Sequence, residues 1–248
     1  MRLSDLDDYT RSLLDVARFR DYCPNGLQVE GRPEVRRIVT GVSANLAFLE
    51  AAIAAQADAV IVHHGFFWKN EPAPIVGVKR RRIRLLLQNE VSLFAFHLPL
   101  DAHPELGNNA RLGQRLGFTV EQWVGEQGLI ALGRVDEPAS LAQLVGRIAT
   151  ALGRAPLVVG EAERVIRRIA WCSGGAQGWF ETAAGYGVDA YLTGEASEYN
   201  VHFARESGVA FLAAGHHATE RYGVQALGEH LAAQFGLEHR FIDVPNPV

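Results

Sequence analysis

Three short apolar runs in this chain stop at histidine. Ala59-Val60-Ile61-Val62 leads into His63 and His64. Leu93-Phe94-Ala95-Phe96 leads into His97, with Asp101 four residues on. Phe211-Leu212-Ala213-Ala214-Gly215 leads into His216 and His217, with Glu220 close behind. Such runs read as short strands buried on both faces. An α/β sheet displays its chemistry at strand ends, and an imidazole left without a partner at the end of a buried strand is costly. The pattern points first to a site for a hard or borderline divalent metal, held by imidazole and carboxylate.

The segments around these runs alternate. Strands are expected over 35–42, 58–62 and 91–98, and again over 165–172, 188–193, 209–214 and 239–244. Helices are expected over 46–56, 78–89, 108–116, 178–187, 197–207 and 222–235, with Gly117 stopping the third. An earlier helix begins near Ser4 and ends at the turn Pro24-Asn25-Gly26. This alternation predicts an α/β fold of two similar lobes with mostly parallel sheets. The lobes are expected at 1–124 and 165–248, joined by a connecting segment at 125–164 that carries a small helix around 141–152.

The lobes read as an internal repeat within one compact unit. Gly41-Val42-Ser43-Ala44 matches Cys172-Ser173-Gly174-Gly175 at the same offset that relates Asp58-Ala59-Val60 to Asp189-Ala190-Tyr191. That offset sets Glu195 opposite His64, and a shorter following helix brings His216 close to the position of His97. Two lobes facing each other would put the metal site in the cleft between them.

Composition excludes several classes. A net charge of −4 over 248 residues gives no broad basic surface for an extended nucleic acid. The local cluster Lys79-Arg80-Arg81-Arg82 with Arg84 reads as a solvated helix start. Two cysteines, Cys23 and Cys172, exclude a disulfide framework and a Cys-rich zinc site. No apolar signal core opens the chain, and no stretch approaches the ~18 apolar residues of a membrane helix. The expectation is a cytoplasmic protein with no membrane partner.

Spacing refines the chemistry. Adjacent strand residues point to opposite faces, but at a strand end, with Gly65 allowing a turn, His63 and His64 can both face one cleft and bind different metals. Pro99 favours an extended approach and a turn, so His97 and Asp101 are expected in a loop. A helix starting near His216 would put His216 and Glu220 on one face, able to reach the same metal. These donors are too many for one tetrahedral site. Two ions sharing Glu220, with Asp101 as a second candidate bridge, fit better, and a pair ~3.5–4 Å apart suits hydrolysis.

Five motifs, in order along nearly the whole chain, carry a resemblance. They are Asn25-Gly26-Leu27-Gln28-Val29, Val62-His63-His64-Gly65, His97-Leu98-Pro99-Leu100-Asp101, Thr193-Gly194-Glu195 and Gly215-His216-His217-Ala218-Thr219-Glu220. Together they resemble the GTP cyclohydrolase 1 type 2 homologues, the NGG-interacting-factor-like dimetal proteins, in their short bacterial form. The resemblance implies two divalent metal ions per subunit, held by His63, His64, Asp101, His216 and Glu220. It places His97 beside the metals as a ligand or an acid/base, and it implies a toroidal hexamer. It makes His217, often tyrosine in such proteins, a bystander. Many members carry an aspartate after the first strand; Ser43 stands here and cannot replace a carboxylate.

The leading expectation is a dinuclear metal-dependent hydrolase of a small nucleotide-like substrate, damaged nucleotides being one class, with His97 or Glu195 moving protons. The alternative is a non-enzymatic ring that carries metal or serves as an interaction scaffold, and a di-iron redox role is a third reading. Imidazole with carboxylate leaves iron, manganese and zinc open.

Overall fold

The computed structural model describes residues 1–248. Its strands are β1 (Gly26–Val29), β2 (Arg37–Ser43), β3 (Ala59–His64), β4 (Ser92–Ala95), β5 (Phe118–Val124), β6 (Ile130–Ser140), β7 (Leu157–Val159), β8 (Val165–Trp171), β9 (Ala190–Thr193), β10 (Ala210–Ala213) and β11 (Glu238–Phe241). Its helices are α1 (Leu3–Leu13), α2 (Leu46–Ala54), α3 (Gly77–Gln88), α4 (Leu98–Ala102), α5 (Asn108–Leu116), α6 (Leu141–Leu152), α7 (Phe180–Ala184), α8 (Glu198–Ser207), α9 (His216–Thr219) and α10 (Arg221–Phe235). The chain is mixed α/β with two sheets. No helix is long and apolar enough to cross a membrane.

The chain divides into two compact units, Met1–His103 with Gly223–Pro245, and Pro104–Tyr222 with Asn246–Val248. These bounds differ from the sequence division at 124 and 165. The C-terminal strand β11 adds to β2 of the first unit. The segment 125–164, expected as a connector, supplies β6, α6 and β7 to the second unit, both strands joining its sheet. Its strands are hard to see in sequence because β6 carries the exposed stretch Asp136-Glu137-Pro138 and β7 has three residues.

The first sheet runs β1-β4-β3-β2-β11, with β1 antiparallel and the other pairings parallel. Strand β3 shows why its run is continuously apolar. Val60 and Val62 pack into one cluster with Phe48, Leu49 and Leu86, whereas Ala59 and Ile61 pack into another with Leu6, Val224 and Leu231. Helices thus cover both faces, and both alternating sets are buried. The second sheet runs β5-β6-β8-β9-β10-β7 and is more mixed than expected. Parallel pairing holds for β8-β9-β10, while β5, β6 and β7 pair antiparallel. Its two faces are again both covered: Ala190 and Leu192 face the Leu144 and Ile148 cluster, and Tyr191 faces Phe180 and Phe211.

Inside these sheets lies a shared four-strand pattern. Order and sense are the same in β1-β4-β3-β2 and in β7-β10-β9-β8. The register Ile38↔Ala59 recurs as Ile169↔Ala190. Asp58 Oδ2 accepts the N–H groups of Arg36 and Arg37 at 2.9 Å, and Asp189 Oδ2 accepts those of Arg167 and Arg168 at 2.9 and 3.0 Å. Each aspartate therefore ties the start of one strand to the start of the next. In this pattern His64 and Glu195 occupy equivalent strand ends, as do His97 and His216.

A hydrogen bond to a charged acceptor contributes roughly 1.5–3 kcal/mol. Replacing Asp58 with Ala should lower the unfolding free energy in urea by roughly 2–3 kcal/mol. Asp189→Ala should cost less, because its side chain is 30% exposed against 13% for Asp58. Equal losses would contradict the ranking.

Candidate metal centre

In the first unit the donors stand at the ends of β3 and β4. His63 is fully buried, and its Nδ1 lies 2.9 Å from the Phe96 carbonyl oxygen. A carbonyl only accepts, so Nδ1 carries a proton and donates, leaving Nε2 as the nitrogen that faces the site. Nε2 lies 3.5 Å from Oδ1 of Asp101, itself buried. The sequence expectation of a loop at His97–Asp101 is corrected: Asp101 rides on α4, whose first turn accepts Pro99 because the N–H that proline lacks has no intrahelical partner there.

His64 points its Nδ1 at the Ser43 hydroxyl, 3.1 Å away. The rings of His63, His64 and His97 gather with centroids 4.6, 5.0 and 5.8 Å apart. Each can offer one nitrogen within 4.8 Å of the others.

His97 is held by Asn25, from one of the sequence motifs, and by Asp21, which sequence reasoning did not single out. Its Nδ1 lies 2.7 Å from Asp21 Oδ1, and its backbone N–H donates to Asn25 Oδ1 at 2.7 Å. Asn25 Nδ2 in turn donates to Asp21 Oδ2, which also accepts the Leu98 N–H. Burial alone would raise the Asp21 carboxyl, but hydrogen bonds from His97, Asn25 and the Tyr22 N–H hold it below the ordinary carboxylate range. Later in the Asn25-Gly26-Leu27-Gln28 motif, Gln28 Oε1 accepts the Phe66 N–H after β3. That motif braces the two loops that follow the histidine-bearing strands. Cys23 is grouped with Asp21 and His97, but burial, reinforced by Asp21 and Asp101, pushes its thiol up to about 12. With no metal bound it stays a thiol.

In the second unit the donors follow β9 and β10. Gly215, at φ 100, turns the chain into α9, which begins at His216. His216 Nδ1 lies 2.6 Å from Glu195 Oε1, and its Nε2 lies 3.1 Å from Oε2 of Glu220, as the four-residue spacing anticipates. Glu220 is buried. Burial alone would lower the His216 pKa; Glu220 and then Glu195 outweigh it and push it up to about 9. Gly174, at φ +66, clears the space: a Cβ there would run into the Glu220 carboxylate. Thr219 Oγ1 accepts the Gly174 N–H at 3.0 Å, fixing that approach. The backbone N–H of His217 donates to the Val248 carbonyl.

Both donor sets place buried carboxylate oxygen beside imidazole nitrogen, with one ring nitrogen anchored and the other turned to the carboxylate. Such outer anchoring is how proteins orient metal-binding histidines. Both sets fit a hard or borderline divalent cation.

Residues 1–247 match the family model described as Duf34/NIF3 (NGG1p interacting factor 3). The chain belongs to that family. A Duf34/NIF3 relative from Pseudomonas aeruginosa, called a GTP cyclohydrolase 1 type 2 homolog, is 57% identical, with 99% of this chain and 98% of the relative covered. The solved protein ybgI, of unknown function, is 49% identical and superposes with a TM-score of 0.96 over 100% of both chains. TTHA1606 from Thermus thermophilus is 36% identical, with a TM-score of 0.92 over 100% of both chains.

Because Asp21 is held below its ordinary value, its contribution to stability is fully present above the unfolded value near 4 and is lost as pH falls through the folded value. Asp21→Asn should cost roughly 1–3 kcal/mol at neutral pH. The gap between wild type and variant should close in acid when metal-free protein is unfolded in urea across that range. A gap that stays constant down to pH ~3 would contradict this role.

Proposed function

We propose that His63, His64, Asp101, His216 and Glu220 hold two divalent metal ions, iron, manganese or zinc, and that the chain uses them to hydrolyse a small nucleotide-like substrate. The observation that carries this reading is the placement of His63: the Phe96 carbonyl engages Nδ1, and Nε2 faces the buried carboxylate of Asp101. A pair of divalent ions, when bound, supplies acidified water and neutralises developing negative charge.

The chain's own groups divide the remaining work. His97 transfers a proton through Nε2, because Asp21 occupies its Nδ1. Glu195 orients His216 through Nδ1 and leaves Nε2 for the metal side. This gives Glu195 a positioning role in place of the proton transfer expected of it from the sequence. The name of the Pseudomonas aeruginosa relative supports a nucleotide as the substrate class. The family resemblance supports a ring of six copies, and two cysteines without a disulfide framework support a cytoplasmic setting.

Glu220→Ala should lose at least one of two metal ions per chain by elemental analysis while keeping its far-ultraviolet circular dichroism. A variant that retains two ions would overturn the ligand set. His63→Ala should abolish turnover on a nucleotide panel with the assembly intact. Wild-type protein that binds two ions and turns over no member of the panel would favour a metal carrier. Light scattering should give a mass near six chains, and a monomer would contradict the ring.

A further inference from the structure

In the first unit, two aromatic side chains stand beside His97 where core packing does not call for them. Tyr22 is 60% exposed, and its ring centroid lies 6.3 Å from that of His97. Trp68 is half-buried, 5.1 Å from His97 in a near-perpendicular arrangement and 6.0 Å from His64. Burying such rings in a core would have stabilised the fold, so leaving them partly in water has a cost.

The loop that carries Trp68 is tightly constrained. Phe67 adopts φ 65, a left-handed conformation that is unfavourable for an aromatic residue. It is kept there by its N–H donating to Glu71 Oε2 at 2.8 Å, by the Glu71–Lys79 ion pair and by the Lys79 ammonium over its own ring. Lys69 N–H donates to the Tyr22 carbonyl at 2.7 Å, which ties the Trp68 loop to the Tyr22 loop. Backbone strain that surrounding contacts sustain is characteristic of ligand clamps.

We propose that Tyr22 and Trp68 form a stacking wall for the planar heteroaromatic base of the substrate, beside the histidines at the ends of β3 and β4. The inference rests on the functional reading above and narrows its substrate class to molecules with a flat π-face. Stacking on aromatic side chains tolerates any base, so the wall selects for an aromatic ring without selecting one base. The sugar and phosphate are left to other contacts.

The test compares guanosine 5′-monophosphate with ribose 5-phosphate by isothermal titration calorimetry on the full-length, metal-loaded protein. The base-bearing probe should bind at least tenfold tighter. Trp68→Ala and Tyr22→Ala should each weaken it about 5- to 100-fold, the range measured for base–aromatic stacking. Trp68→Phe should keep most of the affinity, which guards against a disturbed loop in the alanine variant, and ribose 5-phosphate should be insensitive to all three. Equal affinity for the two probes would overturn the proposal, as would nucleotide binding unchanged in both alanine variants. A changed assembly mass with unchanged nucleotide binding would make the wall a contact between copies and also overturn it. Two bound metals with the nucleotide bound no tighter than ribose 5-phosphate sinks the wall alone, whereas absence of metal, or of turnover on every nucleotide of the panel, sinks the functional reading.

Discussion

The hydrogen bond from His63 Nδ1 to the Phe96 carbonyl joins the ends of two adjacent parallel strands and holds a proton on Nδ1 of a fully buried ring. Much of the first unit serves to make it. Asp58 aligns the starts of β2 and β3. Two covered faces keep β3 and β4 dry enough that a main-chain carbonyl is the natural partner for the imidazole. With Nδ1 committed to the carbonyl, Nε2 is the nitrogen left to face the site, and a buried carboxylate stands 3.5 Å away. Aiming an anion at a lone pair is unfavourable unless a proton or a cation intervenes, which is why this pairing weighs more than the number of histidines.

The second unit reaches a comparable arrangement with different residues. The four-strand pattern recurs with its register and its aspartate clasp, so chemistry again emerges where the chain leaves two parallel strands. Where the first unit ends β3 in two histidines, the equivalent position after β9 carries Glu195, which anchors His216. The repeat supplies the framework, and substitution at its strand ends supplies the difference between an imidazole cluster and a carboxylate–imidazole–carboxylate row.

Much of this was legible in the sequence because parallel strands covered on both faces leave unbroken apolar runs. The runs at 59–62, 93–96 and 211–214 locate β3, β4 and β10, and the histidines that end them locate the candidate donors. The i, i+4 pairing of His216 with Glu220 follows from spacing alone. The antiparallel strands β5, β6 and β7 were hidden, since their pattern is half polar or too short to carry a period. The placement of Asp101 on a helix was hidden because Pro99 is compatible with both a turn and a first helical turn. Asp21 was hidden for a different reason: an aspartate in a Pro/Gly-containing loop looks solvated, and only tertiary structure brings it within 2.7 Å of a histidine 76 residues away. Gly174 is similar, because the need for a missing Cβ appears only once Glu220 is in place.

The central claim is that the strand-end donors hold divalent metal. Anomalous diffraction from crystals grown with manganese, recorded on both sides of its absorption edge, tests it most directly. The account requires two anomalous peaks per chain, both ligated by members of the set His63, His64, Asp101, His216 and Glu220. Peaks bound only to other residues, or no peak at these side chains, would contradict it.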